Sequence, residues 1–183
     1  MYFVEDLRLS GGKVLRGDTL VPDDLAILDG RLAPIRASAH LPLVNLSGYL
    51  ILPGIIDLHG DAFERHLAPR SSVRFPTDIA LQSVDRDAAV NGVTTAWMAQ
   101  SWPWEEGSRG PDSAETFMEA FAEYGPTALT NLRIQLRCEM HTVDTEARLV
   151  AAIARHGIDY VIFNNHLSAA RSIVTTDPHG LAF

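Results

Sequence analysis

The chain has 183 residues, 46% hydrophobic and 21% charged, a globular composition that suffices for one core and a small satellite. Its net charge of -8 excludes a nucleic-acid or anionic-membrane surface, which would need a basic stripe, so an anionic substrate has to be met by local positive charge. A single cysteine, Cys138, excludes an intramolecular disulfide and fits a reducing compartment.

The opening MYFVEDLRLSGG carries acids early and no uninterrupted apolar stretch, so it does not read as a secretory signal. The longest apolar stretch, around Tyr49 to Ile56, is interrupted by Pro53-Gly54 and falls short of the ~20 residues of a spanning helix. These features point to a cytoplasmic protein with no membrane or nucleic-acid partner.

Residues 1–48 alternate short apolar pieces (Tyr2 to Val4, Lys13 to Leu15, Leu25 to Leu28, Arg31 to Ile35) with Gly-Gly, Pro-Asp-Asp and Asp-Gly turn signals. That spacing predicts short antiparallel strands in a small β unit. From Tyr49 onward a strand is followed by a helix several times over. The predicted strands are Leu50 to Leu58, Val93 to Gln100, Leu132 to Glu139 and Ile158 to Asn164, the first read as buried on both faces. In PDSAETFMEAFAEYG, Phe117, Ala120, Phe121 and Tyr124 fall on one helical stripe, with Pro111 near the start and Gly125 as a carboxyl-terminal cap. In TVDTEARLVAAIARHG the stripe is Ala147, Val150, Ala151 and Ala154, ending at Gly157. The fold class is therefore α/β, with residues 49–183 forming the first half of a (β/α) barrel.

In such a sheet the active site lies at the carboxyl ends of the strands. Strand one delivers His59 and Asp61, two residues apart and able to share one metal centre. Strand three ends in Cys138 and Glu139, with His141 beyond; strand four ends in Asn164, Asn165 and His166. Glu139 also reads as a charge partner of Arg137 or Arg133, and Cys138 as a small core residue. In FERHLAPR, Arg65 or Arg70 offers a guanidinium fork to phosphate, the competing reading being a solvated loop. Trp102 and Trp104 fall in a predicted loop after strand two, as a lid or pocket lining.

Together LPGIIDLHGDAFERHLAPR, NGVTTAWMAQSWPWEEGSRGP, LRIQLRCEMH and HGIDYVIFNNHL resemble the diphosphatase family of phosphonate breakdown within the amidohydrolase superfamily. The resemblance covers residues 1 to about 170. It implies a metal-dependent barrel with a small β-sandwich, to which residues 1–48 contribute. It also implies release of pyrophosphate from a ribose 1-methylphosphonate 5-triphosphate in the carbon–phosphorus lyase pathway. By the same resemblance His59, Asp61, Glu139 and His166 hold a divalent metal, zinc being the expected ion; Arg65 and Arg70, from their own chemistry, are expected to meet the phosphates. Asn165 stands where the family has an aspartate before the histidine, which removes a carboxylate that could orient His166.

Relatives run to about twice this length, as a barrel of ~250 residues plus a sandwich requires. The later strands, with the catalytic base, have no counterpart here. The chain is thus also expected as a truncated, non-catalytic metal-binding half-barrel that self-associates through unpaired barrel edges. A cyclic-amide substrate is the remaining alternative.

Overall fold

The structure, a computed structural model, describes residues 5–37, 39–70, 73–102 and 110–165. The chain divides into two compact units, Met1–Ile55 and Ile56–Phe183. Among the described residues no helix is long and apolar enough to cross a membrane.

In the first unit, β1 (Leu7–Ser10), β2 (Lys13–Arg16), β3 (Thr19–Pro22), β4 (Leu25–Leu28), β5 (Arg31–Ala33), β6 (Leu43–Asn45) and β7 (Leu50–Ile51) form two small sheets, ordered β5-β4-β1-β6 and β3-β2-β7. Asp29 and Gly30, with φ of 52° and 71°, form the two-residue turn that joins β4 to β5 with Leu28 opposite Arg31. β1 with β4, β4 with β5, and β2 with β3 are antiparallel as expected, whereas β6 on β1 and β7 on β2 are parallel. A parallel neighbour needs a crossover rather than a tight turn, and the longer connection through the 3-10 turn Ile35–Ala37 leads into β6. Among the described residues, Val14, Leu25 and Ala26 are the buried hydrophobic side chains of this unit. The expected strand at Tyr2 to Val4 lies outside the described residues.

The second unit runs β8 (Ile55–Gly60), α1 (Glu64–Leu67), α2 (Thr77–Val90), β9 (Val93–Trp102), α3 (Pro111–Tyr124), β10 (Asn131–Glu139), α4 (Glu146–His156) and β11 (Tyr160–Asn164). Its sheet is ordered β11-β10-β9-β8, with β9, β10 and β11 parallel. This is the expected α/β architecture, half of an eight-stranded barrel.

Side chains alternate across a strand, and β10 shows what each face meets. Leu132, Ile134, Leu136 and Cys138 join a core with Met98 and Trp102 of β9, Leu81 of α2, Phe117 and Met118 of α3 and Ala152 of α4. Arg133, Gln135, Arg137 and Glu139 take the opposite, concave face, where Arg133 lies 5.1 Å over the Trp97 ring and pairs with Asp159 at 3.3 Å.

Four expectations need correction. The strand at Leu50 to Leu58 is broken at Pro53-Gly54, where proline has no N–H for a ladder; Leu50–Ile51 pairs with β2 instead. The remaining piece, β8, is not buried on both faces. Ile56 is 61% exposed and Leu58 55%, because β8 is the edge of its sheet with β9 on one side only. On α4 the expected stripe is the exposed one. Leu149, Ala152 and Ile153 face the core, since Leu and Ile bring more apolar area than the alternative row of alanines with Val150. Finally, Trp102 is no lid: β9 continues through it, it is fully buried, and its Nε1 donates to Thr145 Oγ1 at 3.1 Å. Trp104 lies outside the described residues.

The helix ends follow the sequence more closely. Gly157 ends α4 in the left-handed region (φ 61°, ψ 38°), donating to Ile153 O. Gly125 caps α3 differently, staying right-handed as the chain tightens into the 3-10 turn Gly125–Thr127. That turn is fixed by the fully buried Asp85 of α2. Its carboxylate accepts from Tyr124 Oη at 2.7 Å, Leu129 N at 2.6 Å, Thr130 N at 2.9 Å and Thr130 Oγ1 at 2.6 Å. Burial alone would push this carboxyl up; the four donors outweigh it and hold the group below its ordinary pKa.

Candidate active site

The carboxyl end of β8 carries His59 in its last turn of strand, with Gly60 ending the element and Asp61 following it. His59 is exposed, but its ring is held from below. Nδ1 lies 2.5 Å from Oε1 of Gln135, and Gln135 Nε2 donates to Leu58 O at 2.9 Å. Gln135 is fully buried in the middle of β10.

Asp57 turns back along β8: its Oδ1 accepts from His59 N at 3.0 Å. Its Oδ2 lies 2.9 Å from where a Cβ on residue 60 would stand, with Trp97 O at 3.4 Å, so a larger residue at 60 would have to push the Asp57 carboxylate aside. The Gly in His-Gly-Asp thus leaves the Asp57 carboxylate free to cap His59 N. Asp61 is exposed, and its backbone carbonyl accepts from Glu64 N at 3.1 Å as the chain enters α1.

Beyond that turn a cleft of about 310 Å³ is lined by Phe63, Glu64, Arg65, Leu67, Ala68, Arg74, Gln100 and Ser101. Arg65 therefore faces a concavity at the carboxyl end of β9. Arg70 does not line it, and instead sits exposed in an isolated bridge with Val73. Its place as the cleft's second guanidinium is taken by Arg74. His66 pairs with Asp87 of α2 through Nε2 at 3.2 Å, which ties α1 to α2.

Glu139 ends β10 opposite Asn164 of β11, and its carbonyl accepts from Thr142 Oγ1 at 2.7 Å. Cys138 beside it is buried and its thiol is pushed up to about 11 by burial and by the Glu139 charge, so it remains a neutral core residue. Asn165 follows β11 directly and is exposed. His166 lies outside the described residues.

In kind, a ring nitrogen with carboxylates fits a divalent cation. In number, among the described residues no group of three or more His, Cys, Asp or Glu side chains is gathered to hold one. The structure thus places His59 and Asp61 together at one strand end and Glu139 at another, without drawing the three into one cluster.

Three contributors to this geometry escaped the sequence reading. Asp57 could have been found as the one carboxylate inside an apolar run. Gln135 could have been found as an uncharged amide on the face it shares with Arg133 and Arg137. Arg74 carried no signal beyond its charge, because nothing local says which guanidinium of a loop turns toward a cleft.

No family model matches the chain. It is 23% identical over 172 residues to the alpha-D-ribose 1-methylphosphonate 5-triphosphate diphosphatase of Escherichia coli strain K12, covering 91% of this chain and 46% of that protein. That similarity supports the resemblance read from the motifs. Among solved structures it is similar to a D-hydantoinase (TM-score 0.59, 19% identity, 85% of this chain and 32% of that one). It is also similar to the D-hydantoinase from Bacillus sp. AR9 (TM-score 0.52, 18% identity, with the same coverage). The chain spans less than half the length of these relatives. At such identities the structural likeness shows the fold.

Proposed function

We propose that this chain is part of a metal-dependent hydrolase of the amidohydrolase superfamily that releases pyrophosphate from a triphosphorylated ribose phosphonate. The observation that carries the reading is the cleft lined by Arg65 and Arg74 at the carboxyl end of the sheet, on a chain of net charge -8 that is similar along 91% of its length to a diphosphatase. Two guanidinia beside the single carboxylate of Glu64 leave the concavity with net positive charge where phosphate oxygens would lie.

His59, Asp61 and Glu139, with His166, would hold the cation, for which zinc suits the mixed nitrogen and oxygen donors. Once bound, it would supply Lewis acidity toward a phosphoryl oxygen and make a water acidic enough to attack near neutral pH. Arg65 and Arg74 neutralise the phosphate chain and fix its direction.

The likeness to D-hydantoinases favours a second reading, hydrolysis of a cyclic amide. Supplying ribose triphosphates and dihydropyrimidine-type amides side by side to the zinc-loaded protein separates the two. Pyrophosphate release that falls in Arg65→Ala supports the first; turnover of amides alone sinks it.

The exposed apolar row on β8 also supports self-association, in which a second copy covers Ile56 and Leu58. Light scattering on the eluting protein should give at least a dimer that Leu58→Asp shifts toward monomer; a wild-type monomer would contradict it.

A further inference from the structure

We infer that Gln135 is a positioning residue for His59, holding its imidazole in the tautomer that carries the proton on Nδ1 and presents the Nε2 lone pair at the strand end. Only the identity of the ligand that takes this lone pair rests on the metal reading above.

The direction of the amide comes first. The Leu58 carbonyl can only accept a hydrogen bond, and it lies 2.9 Å from the Gln135 amide nitrogen. Turning the amide over would set two oxygens against each other in a buried site, so Oε1 must face His59. An amide oxygen carries no hydrogen, so the 2.5 Å contact requires the proton to sit on Nδ1. In a neutral ring the lone pair then belongs to Nε2, on a residue that is exposed. A ligating histidine characteristically donates its other ring N–H to a fixed acceptor, and here a buried amide supplies one.

The reach is built into the sheet. β9 lies between β10 and β8, and the residue of β9 opposite Gln135 is Ala99, fully buried. A methyl group there leaves the Gln135 side chain room to cross to β8. Glutamate at 135 could accept from Nδ1 but, when ionised, could not donate to Leu58, so only an amide satisfies both partners.

Nitrogen-resolved NMR of the histidine rings at pH 8, on the metal-stripped 183-residue chain, reads the tautomer directly, with His59→Ala identifying the signal. The expected wild-type signal is a protonated Nδ1 and an unprotonated Nε2. Gln135→Leu should release the ring to a mixture or to the Nε2–H form, leaving the other histidines unmoved, while Gln135→Glu should restore Nδ1–H. Zinc titrated into the same proteins should bind the Leu variant roughly 10–100-fold more weakly than wild type. A wild-type ring protonated on Nε2 would overturn the inference, as would an unchanged tautomer in a folded Gln135→Leu protein. The wild-type spectrum decides this even where a variant does not fold. A held Nδ1–H tautomer in a chain that takes up no zinc would uphold the positioning role and contradict the metal reading.

Discussion

β8 and β10 belong to one sheet and are both rich in branched aliphatic residues, yet they meet opposite fates. β10 has a strand on either side and helices over one face, and Leu132, Ile134, Leu136 and Cys138 are all buried. β8 has β9 alone, and Ile56 and Leu58 remain more than half exposed. Apolar content marks a segment as fit for a core; the number of neighbours decides whether it is in one. The residues of the candidate site divide the same way, with exposed His59 on the edge strand steadied by buried Gln135 on the central one.

The sharpest way to break the comparison is a matched pair of truncations. Leu136→Ala should cost about 3 kcal/mol, as methylene groups leave a closed site, whereas Leu58→Ala should fall within about 0.5 kcal/mol in the monomeric protein. Urea unfolding of both measures the difference, and equal losses would show β8 to be as covered as β10.

Next in size is Asp85, which anchors the turn leading into β10. Replacing it with alanine strands four donors, for an expected loss of about 2 kcal/mol. Because its folded pKa is depressed, the stabilisation is fully present above the ordinary carboxylate pKa of about 3.9 and is lost as pH falls through the folded value. The urea midpoint of wild type should therefore drop below about pH 4 more steeply than that of Asp85→Asn. Parallel pH profiles would remove Asp85 from the account.

A smaller effect belongs to the β8 side. In Gly60→Ala the new Cβ would meet Asp57 Oδ2 at 2.9 Å and Trp97 O at 3.4 Å. The Asp57 carboxylate would have to move and loosen its bond to His59 N, so a loss of about 1 kcal/mol is expected, together with a displaced His59 signal in the NMR spectrum. A neutral substitution would show that β8 slides freely on β9.

Much of this fold was legible because its signals are local. Helix α3 follows from the Phe117, Phe121 and Tyr124 stripe, the end of α4 from Gly157, and the β4–β5 hairpin from Asp29-Gly30. The errors came where the deciding partner is distant in sequence. The α4 pattern admits two stripes, and only the core chooses Leu149 and Ile153. Trp102 reads as a loop residue until β9 is seen to carry it into the core, where it meets Thr145, 43 residues away. At the site, His59 and Asp61 could be named from their spacing and from a resemblance. The acceptor that fixes His59 lies 76 residues away, and no local pattern connects the two.

The central claim is that the carboxyl end of this half-barrel binds a divalent cation through His59 and its neighbours. Metal content per chain, measured on size-separated protein beside the His59→Ala, Asp61→Ala double variant, tests it most directly. The account predicts about one equivalent of zinc or a similar ion in the wild type, lost in a variant that stays folded. A folded wild-type chain that binds no metal, or a variant that keeps its full complement, would contradict it.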